Sequence, residues 1–328
     1  LSQSILKTFL QYLDGGMLPN HFPDWGEEPE YNTIDATLWL FIVLHDYHQK
    51  FNDVDFIKEV FPQLTSIIDA HTKGTRYQIH VTEEGLLYGG EGNTQLTWMD
   101  ARVGDYVVTP RHGCPVEINM LWYNALKIYD AFAKALENRN PYASYIKLFE
   151  QNFKKYFLNA QGYLNDVVIP NVSADESIRP NMIYAVSLPY TVLTNEEQQD
   201  IVTIVQQELF TDYGLRTLQK SHPNFKPVYQ GDAWQRDNAY HQGTVWPFLT
   251  GEFFGAYLAV NKMSAATVKQ VQQWIQPLKE HFYNDNCIHG ISEIFDGEQP
   301  STGKGTIHQA WSVSALIKVL TDIKIASA

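Results

Sequence analysis

The chain has little cysteine and a deficit of positive charge. It holds two cysteines, Cys114 and Cys287, far apart and without metal-ligand spacing. That excludes a zinc-cluster or disulfide-dense scaffold. It points to a reducing, cytoplasmic compartment, with a single disulfide still compatible. No run of 18 or more apolar residues occurs, so neither a spanning helix nor a membrane partner is expected. Lys and Arg number 24 against 37 Asp and Glu, a formal net charge of −13. Such a surface repels phosphate backbones and argues against nucleic acid, but not against a neutral polymer. There is no H-E-x-x-H, paired C-x-x-C, EF-hand loop, G-x-S-x-G elbow or phosphate-binding loop, and the eleven histidines are scattered. No metal or organic cofactor is expected.

What is present is a globular chain of 328 residues, 44% hydrophobic, 19% charged and rich in aromatics. Apolar character alternates along it. Ile34 to Tyr47, Val116 to Tyr129 and Val245 to Val260 are apolar on nearly every face, which predicts helices buried all round. Between them, Asp55 to Ile68, Tyr145 to Phe157, the stretch after Thr194 and Val268 to Phe282 carry one-sided stripes at helical spacing. Pro62 predicts a kink or split in the first of these. Thr194 and Glu197 have capping-box spacing. Ile307 to Leu320 predicts a further, mostly apolar helix.

Inner helices covered on both sides, alternating with outer ones facing water, predict an all-α (α/α)6 toroid over residues 1–328 as one domain. A flat bundle is the alternative. The linkers 85–114, 163–180, 215–242 and 289–306 are long and polar-aromatic, the kind of loop that carries function. Thr75 to Leu87 reads as a small β-hairpin. The start at Leu1 has the character of mid-helix, which predicts a C-terminal fragment of a longer chain.

With metal and nucleophile signatures absent, carboxylates among aromatics remain. Asp100 ends Thr97-Trp98-Met99-Asp100, and Glu293 lies in Ile291-Ser292-Glu293-Ile294-Phe295. Apolar neighbours disfavour ionisation and can keep an acid protonated near neutrality. Glycosidic cleavage needs such an acid and a second carboxylate. With 37 acidic residues, many pairs are possible, and helix capping or loop ion pairing accounts equally well for these two.

A set of motifs sharpens the choice. In order they are Tyr31-Asn32-Thr33-Ile34-Asp35-Ala36 with Leu38-Trp39, then Thr97-Trp98-Met99-Asp100-Ala101, then Thr109-Pro110-Arg111-His112-Gly113. Next come Pro115-Val116-Glu117-Ile118-Asn119 with Leu121-Trp122-Tyr123-Asn124, then His241-Gln242-Gly243-Thr244-Val245-Trp246-Pro247, then Ser292-Glu293-Ile294-Phe295-Asp296-Gly297. Together they resemble the C-terminal α-1,6-glucosidase domain of glycogen debranching enzymes, an inverting α/α-toroid hydrolase. The resemblance implies glycogen or a branched α-glucan as partner. It implies Asp100 as general acid and Glu293 as general base. An inverting pair stands about 6.5–9.5 Å apart to admit a water. The family also has a preceding helix with a Trp-Gly-Arg-Asp motif that this sequence lacks, which predicts a toroid without its first helix. Glucoamylase-like, trehalase-like or phosphorylase activity, or a non-catalytic glycan-binding role, are the competing readings.

Other residues carry two readings each. Asp35 either binds a sugar hydroxyl or caps a helix. Trp98 and Trp246 read as pocket walls. Arg111 and Glu117 form either a buried ion pair or direct sugar ligands. His241 is either a structural hydrogen-bonder or a ligand. Trp234, with Gln235 and Arg236, reads as a loop reaching toward the leaving-group side. Trp39 and Trp122 read as core.

Overall fold

The computed structural model describes residues 1–23, 26, 28–285 and 289–326. Cys287 lies outside them, and Cys114 is buried. The helices are α1 (Ser2–Gln11), α2 (Ala36–Phe51), α3 (Val54–Lys73), α4 (Val116–Ala135), α5 (Ala143–Phe157) and α6 (Tyr184–Ser187). They continue with α7 (Asn195–Glu208), α8 (Ala233–Tyr240), α9 (Thr250–Val260), α10 (Ala265–Trp274), α11 (Gln276–Asn284) and α12 (Ala310–Ala326). The fold is an all-α toroid with small hairpins in its long loops.

The inner helices pack in chain order, α2 on α4, α4 on α6, α6 on α9 and α9 on α12. The one-sided helices cover them from outside: α3 and α5 on α4, α7 on α6 and α9, α10 on α9. The apolar stripes explain the division. In α4, Val116 through Leu126 are all buried, whereas α5 buries only Ile146, Phe149, Phe153 and Phe157. Burying such side chains contributes roughly 1.5–3 kcal/mol each.

Several local expectations are corrected. Helix α3 is continuous through Pro62 and so is not split there; Pro62 sits on the exposed face, where water can satisfy the carbonyl that loses its N–H partner. The stretch 245–260 is not one helix: Val245–Trp246 is a strand, Pro247–Leu249 a 3-10 turn, and only then does α9 begin. The stripe at 268–282 divides into α10 and α11 around Ile275, with Pro277 in the first turn of the second. Helix α6, the third inner element, is only one turn long and was not read from the sequence. The pair Thr194–Glu197 forms a reciprocal capping box, and His80–Val81 pairs with Leu87–Tyr88 as an antiparallel hairpin.

Helix α2 is not buried all round, since Val43 is 47% exposed. Between α2 and α12 lies a cavity of about 600 Å³, lined by Trp39, Val43 and Asp46 from α2 and by Trp311, Ala315 and Lys318 from α12. Trp39, expected in the core, belongs to this wall; Trp122 is fully buried. Asp35, Glu117, Tyr184, Phe248 and Trp311, which all stand at or near inner-helix N-termini, line the same cavity. The inner helices thus aim their positive dipole ends at one mouth, where carboxylates gather.

Candidate active site

Glu293 is positioned by a five-stranded antiparallel sheet made entirely of loop segments. Its order is Gly303–Lys304, Ile294–Phe295, Val245–Trp246, Gly214–Arg216 and Phe210–Thr211. Ile294 pairs with Lys304, and Phe295 with both Gly303 and Val245. That register puts Glu293 at the strand entrance, 8% exposed. The Thr306 N–H donates to its Oε2 at 2.8 Å, and Gln309 Nε2 donates to its Oε1 at 3.3 Å. The Tyr240 hydroxyl stands beside the carboxylate. Burial, then hydrogen bonding to Glu293, pushes that hydroxyl's pKa well above the usual phenol value. Glu293 is therefore presented as an acceptor ringed by donors. Gly305 has a positive φ of 75° and leaves the space beside Glu293 Oε2 that a Cβ would occupy.

Asp100 comes from the loop before a second hairpin, Arg102–Val103 with Tyr106–Val107. The next residue, Ala101, is tied at both of its backbone groups. The Val108 N–H donates to the Ala101 carbonyl at 3.1 Å, and Gln95 Nε2 donates to the same oxygen at 2.9 Å. The Ala101 N–H donates to His241 Nδ1 at 3.4 Å. The Asp100 carboxyl faces open space, yet the surrounding walls dehydrate it. Desolvation raises its pKa to about 6, against the lowering effect of its own backbone hydrogen bond, and the charges of Asp35 and Glu293 add to the rise.

Both carboxylates line one cavity of about 370 Å³, together with Asp35, Trp98, Tyr240, Trp246, Gln309 and Trp311. Trp98 stands edge-on to Trp246 and Phe248, and Phe248 stacks on Trp311 with ring centroids 4.3 Å apart. This gives a box of aromatic faces with two acids on its rim, the surface a hexose ring needs on its apolar and polar sides. Asp35 makes no capping bond to the first turn of α2. Thr33 Oγ1 donates to Asp35 Oδ1 at 2.5 Å, and burial raises its pKa. Asp35 thus lines the cavity and does not cap α2 through its side chain.

Four of the sequence-derived candidates sit elsewhere. Arg111 is buried in an ion triad. Nη2 donates to Glu117 Oε2 at 2.7 Å, Nη1 donates to Glu117 Oε1, and Nε donates to Asp166 Oδ2 at 2.8 Å. Burial disfavours its charge, but Asp166 and Glu117 outweigh that and hold its pKa above the ordinary guanidinium value. Glu117 also borders the larger 600 Å³ cavity, which shares Asp35, Trp98 and Trp311 with the smaller one but contains neither Asp100 nor Glu293. His241 is fully buried behind the box, stacked on Trp246. Burial, and then the charges of Arg179 and Arg111, lower its pKa well below the usual imidazole value. It is a neutral acceptor for the Ala101 N–H and not part of the cavity wall. Trp234 is 50% exposed, on α8 instead of a loop. The reciprocal Asp232–Gln235 cap starts that helix, and Trp234 rests against exposed Tyr106 outside both cavities.

A family model described as amylo-alpha-1,6-glucosidase matches residues 1–318. The chain belongs to the amylo-alpha-1,6-glucosidase family. Its kinship is therefore with glycoside hydrolases. The glycogen debranching enzyme of Saccharomyces cerevisiae is 23% identical, in an alignment covering 97% of this chain and 27% of that protein. The chain thus spans about a quarter of the length of that relative. Among solved structures, a GH63 mannosylglycerate hydrolase from Thermus thermophilus, in complex with Tris and D-glycerate, superposes with a TM-score of 0.68 at 13% identity. That match covers 98% of this chain and 88% of the other. The same enzyme in complex with glucose gives 0.66 at 14% identity, covering 96% and 86%. A GH78 rhamnosidase of Bacillus sp. GL1 gives 0.61 at 13% identity, covering 95% of this chain and 29% of that one. These structural likenesses are of fold.

Residue-level reading missed several participants that this family member's structure brings in. Tyr240, Gln309 and Trp311 line the cavity, and Asp166, Asn181 and Arg179 brace it. Gln309 and Trp311 open an apolar helix at a loop end, the same signal that drew attention to Trp246, and were readable on that ground. Nothing in the local sequence marks Asp166 or Asn181.

Proposed function

We infer that this domain removes single α-1,6-linked glucose residues from the branch points of a glycogen-like glucan, with inversion. The observation that carries this reading is the sharing of one aromatic cavity by Asp100 and Glu293, with Asp100 held protonated to about pH 6. Asp100 gives its proton to the bridging oxygen as the bond breaks. Glu293, surrounded by donors, takes a proton from a water that attacks the anomeric carbon from the opposite face, and β-glucose departs. Desolvation matches Asp100 to that task, since a general acid works best with a pKa near the working pH. The matching family description supports the α-1,6 linkage. A glucan inside the cytoplasm is the corresponding partner.

The test is glucose release from a phosphorylase-limit dextrin, which exposes α-1,6 stubs, with maltotriose and trehalose alongside and the product anomer followed by NMR. Release of β-glucose from the limit dextrin alone is expected. Asp100→Asn and Glu293→Gln should each lower turnover by about 10² or more. Release from maltotriose or trehalose instead assigns a different toroid hydrolase. Glucan binding without release in any form identifies a non-catalytic domain.

A further inference from the structure

Asp100 stands where two cavities meet. The first contains Glu293 and the aromatic box. The second, of about 400 Å³, adjoins it at Asp100 and is lined by Asn32, Tyr77, Asn93, Thr94, Gln95, Asp100 and Arg102. Asn32, Gln95 and Asp100 belong to both walls. The volume falls in the roughly 300–1,000 Å³ range of small-ligand sites. The two spaces differ in character. One is lined by several aromatics and holds both carboxylates; the other holds only the acid, and its remaining walls are amides, hydroxyls, a guanidinium and the one ring of Tyr77.

In an inverting displacement the acid touches the departing oxygen and the base touches the water on the opposite face. The leaving group therefore lies next to Asp100 and away from Glu293, and the second cavity, lined by Asp100 but not by Glu293, meets that requirement. Arg102 sits one residue into the hairpin that follows Asp100, and it pairs with Val107, so the two side chains share a face of the ribbon. Among the described residues, neither the Arg102 guanidinium nor the Asn32 amide has a hydrogen-bond or ion-pair partner. Gln95 spends its amide donor on Ala101 and, among the described residues, its oxygen has no partner, while Asn93 is fixed by donation to Asp105 Oδ1 at 3.1 Å. A planar fork of donors suits vicinal hydroxyls, which present two oxygens side by side. The Asp105 carboxylate, bound to Asn93 of the wall, disfavours an anionic occupant.

We propose that this second cavity holds the leaving group as a neutral, hydroxyl-rich glucan chain, and that Arg102 is the residue that selects it. The assignment rests on Asp100 being the general acid.

The experiment compares the wild-type chain with Arg102→Ala and Arg102→Lys. Two substrates are used: panose, whose α-1,6-linked glucose leaves maltose behind, and α-glucosyl fluoride, whose leaving group is too small to reach Arg102. Equilibrium binding of maltotriose, a leaving-group mimic, is measured in parallel. Arg102→Ala should lower kcat/KM for panose at least about tenfold more than for the fluoride, mainly through KM, because the contact serves ground and transition states alike. It should also weaken maltotriose binding by about tenfold, with Arg102→Lys in between because it loses the fork. Equal losses on both substrates, or unchanged maltotriose binding, overturn the assignment. A wild-type chain that cleaves the fluoride but not panose defeats the α-1,6 reading under the proposed function, and the binding measurement then still decides the role of Arg102.

Discussion

The indole N–H of Trp98 donates to Asn181 Oδ1 at 2.8 Å, and this bond ties the wall of the proposed catalytic cavity to a buried ion network. Asn181 Nδ2 in turn donates to Asp166 Oδ1 at 2.6 Å, and Asp166 holds Arg111. Trp98 immediately precedes Met99 and Asp100, so its orientation is also that of the acid's loop. Replacing Asn181 with Leu leaves the Trp98 N–H and an Asp166 oxygen without this partner in a dry setting. The expected cost is about 1–3 kcal/mol of stability, with a fall in kcat/KM as Trp98 loosens. Urea unfolding and steady-state kinetics check both. An unchanged unfolding midpoint means that Asn181 does not support Trp98.

The Arg111 triad is expected to serve stability. Glu117→Ala leaves the buried guanidinium with Asp166 alone, and breaking a buried pair from one side costs about 3–5 kcal/mol. The predicted readout is a large drop in unfolding midpoint. Should the variant stay as stable as the wild type while losing glucan affinity, Glu117 is a sugar ligand after all.

The raised pKa of Asp100 makes two connected statements about pH. As a general acid it must carry its proton, so kcat/KM should fall as pH rises through about 6. As a group whose folded-state pKa lies above its unfolded value, it contributes stability that is present below the unfolded value and lost as pH rises through about 6. Asp100→Asn should therefore melt higher than the wild type at pH 7.5, and the gap should narrow at pH 4.5. A gap that does not change with pH contradicts the dehydrated carboxyl. The kinetic limb is checked separately with the wild type.

Gly305 is the place to disturb Glu293 without touching it. A Cβ there collides with the Glu293 carboxylate, and the backbone has a positive φ that an L side chain rarely adopts. Gly305→Ala should keep its helical circular dichroism, because the residue lies in a loop between sheet and helix. Misplacing the base by about 1 Å should lower turnover by about 10². Full activity in this variant shows that the position of Glu293 is not what turnover depends on.

The helical stripes of Phe149, Phe153 and Phe157, the all-round burial of Val116 through Leu126 and the Thr194 cap were legible because each is a local periodicity that the backbone must obey. So was the placement of Asp100 and Glu293 in long loops before apolar helices, although their pairing came from motif resemblance and not from the residues alone. That Pro62 leaves α3 unsplit was not legible, because periodicity does not say which face meets water. Trp234 was misplaced because a reciprocal side-chain cap turned an expected loop into a helix. The sequence by itself determined most of the long helices, which sides of them are apolar, and that acids lie among aromatics at loop ends. Only the tertiary structure decided which acids share a cavity, that His241 is a neutral brace, and that Asp166 and Asn181 link the ion triad to Trp98. Those outcomes depend on contacts between residues tens to hundreds of positions apart, and on a shared dehydration that no single segment possesses.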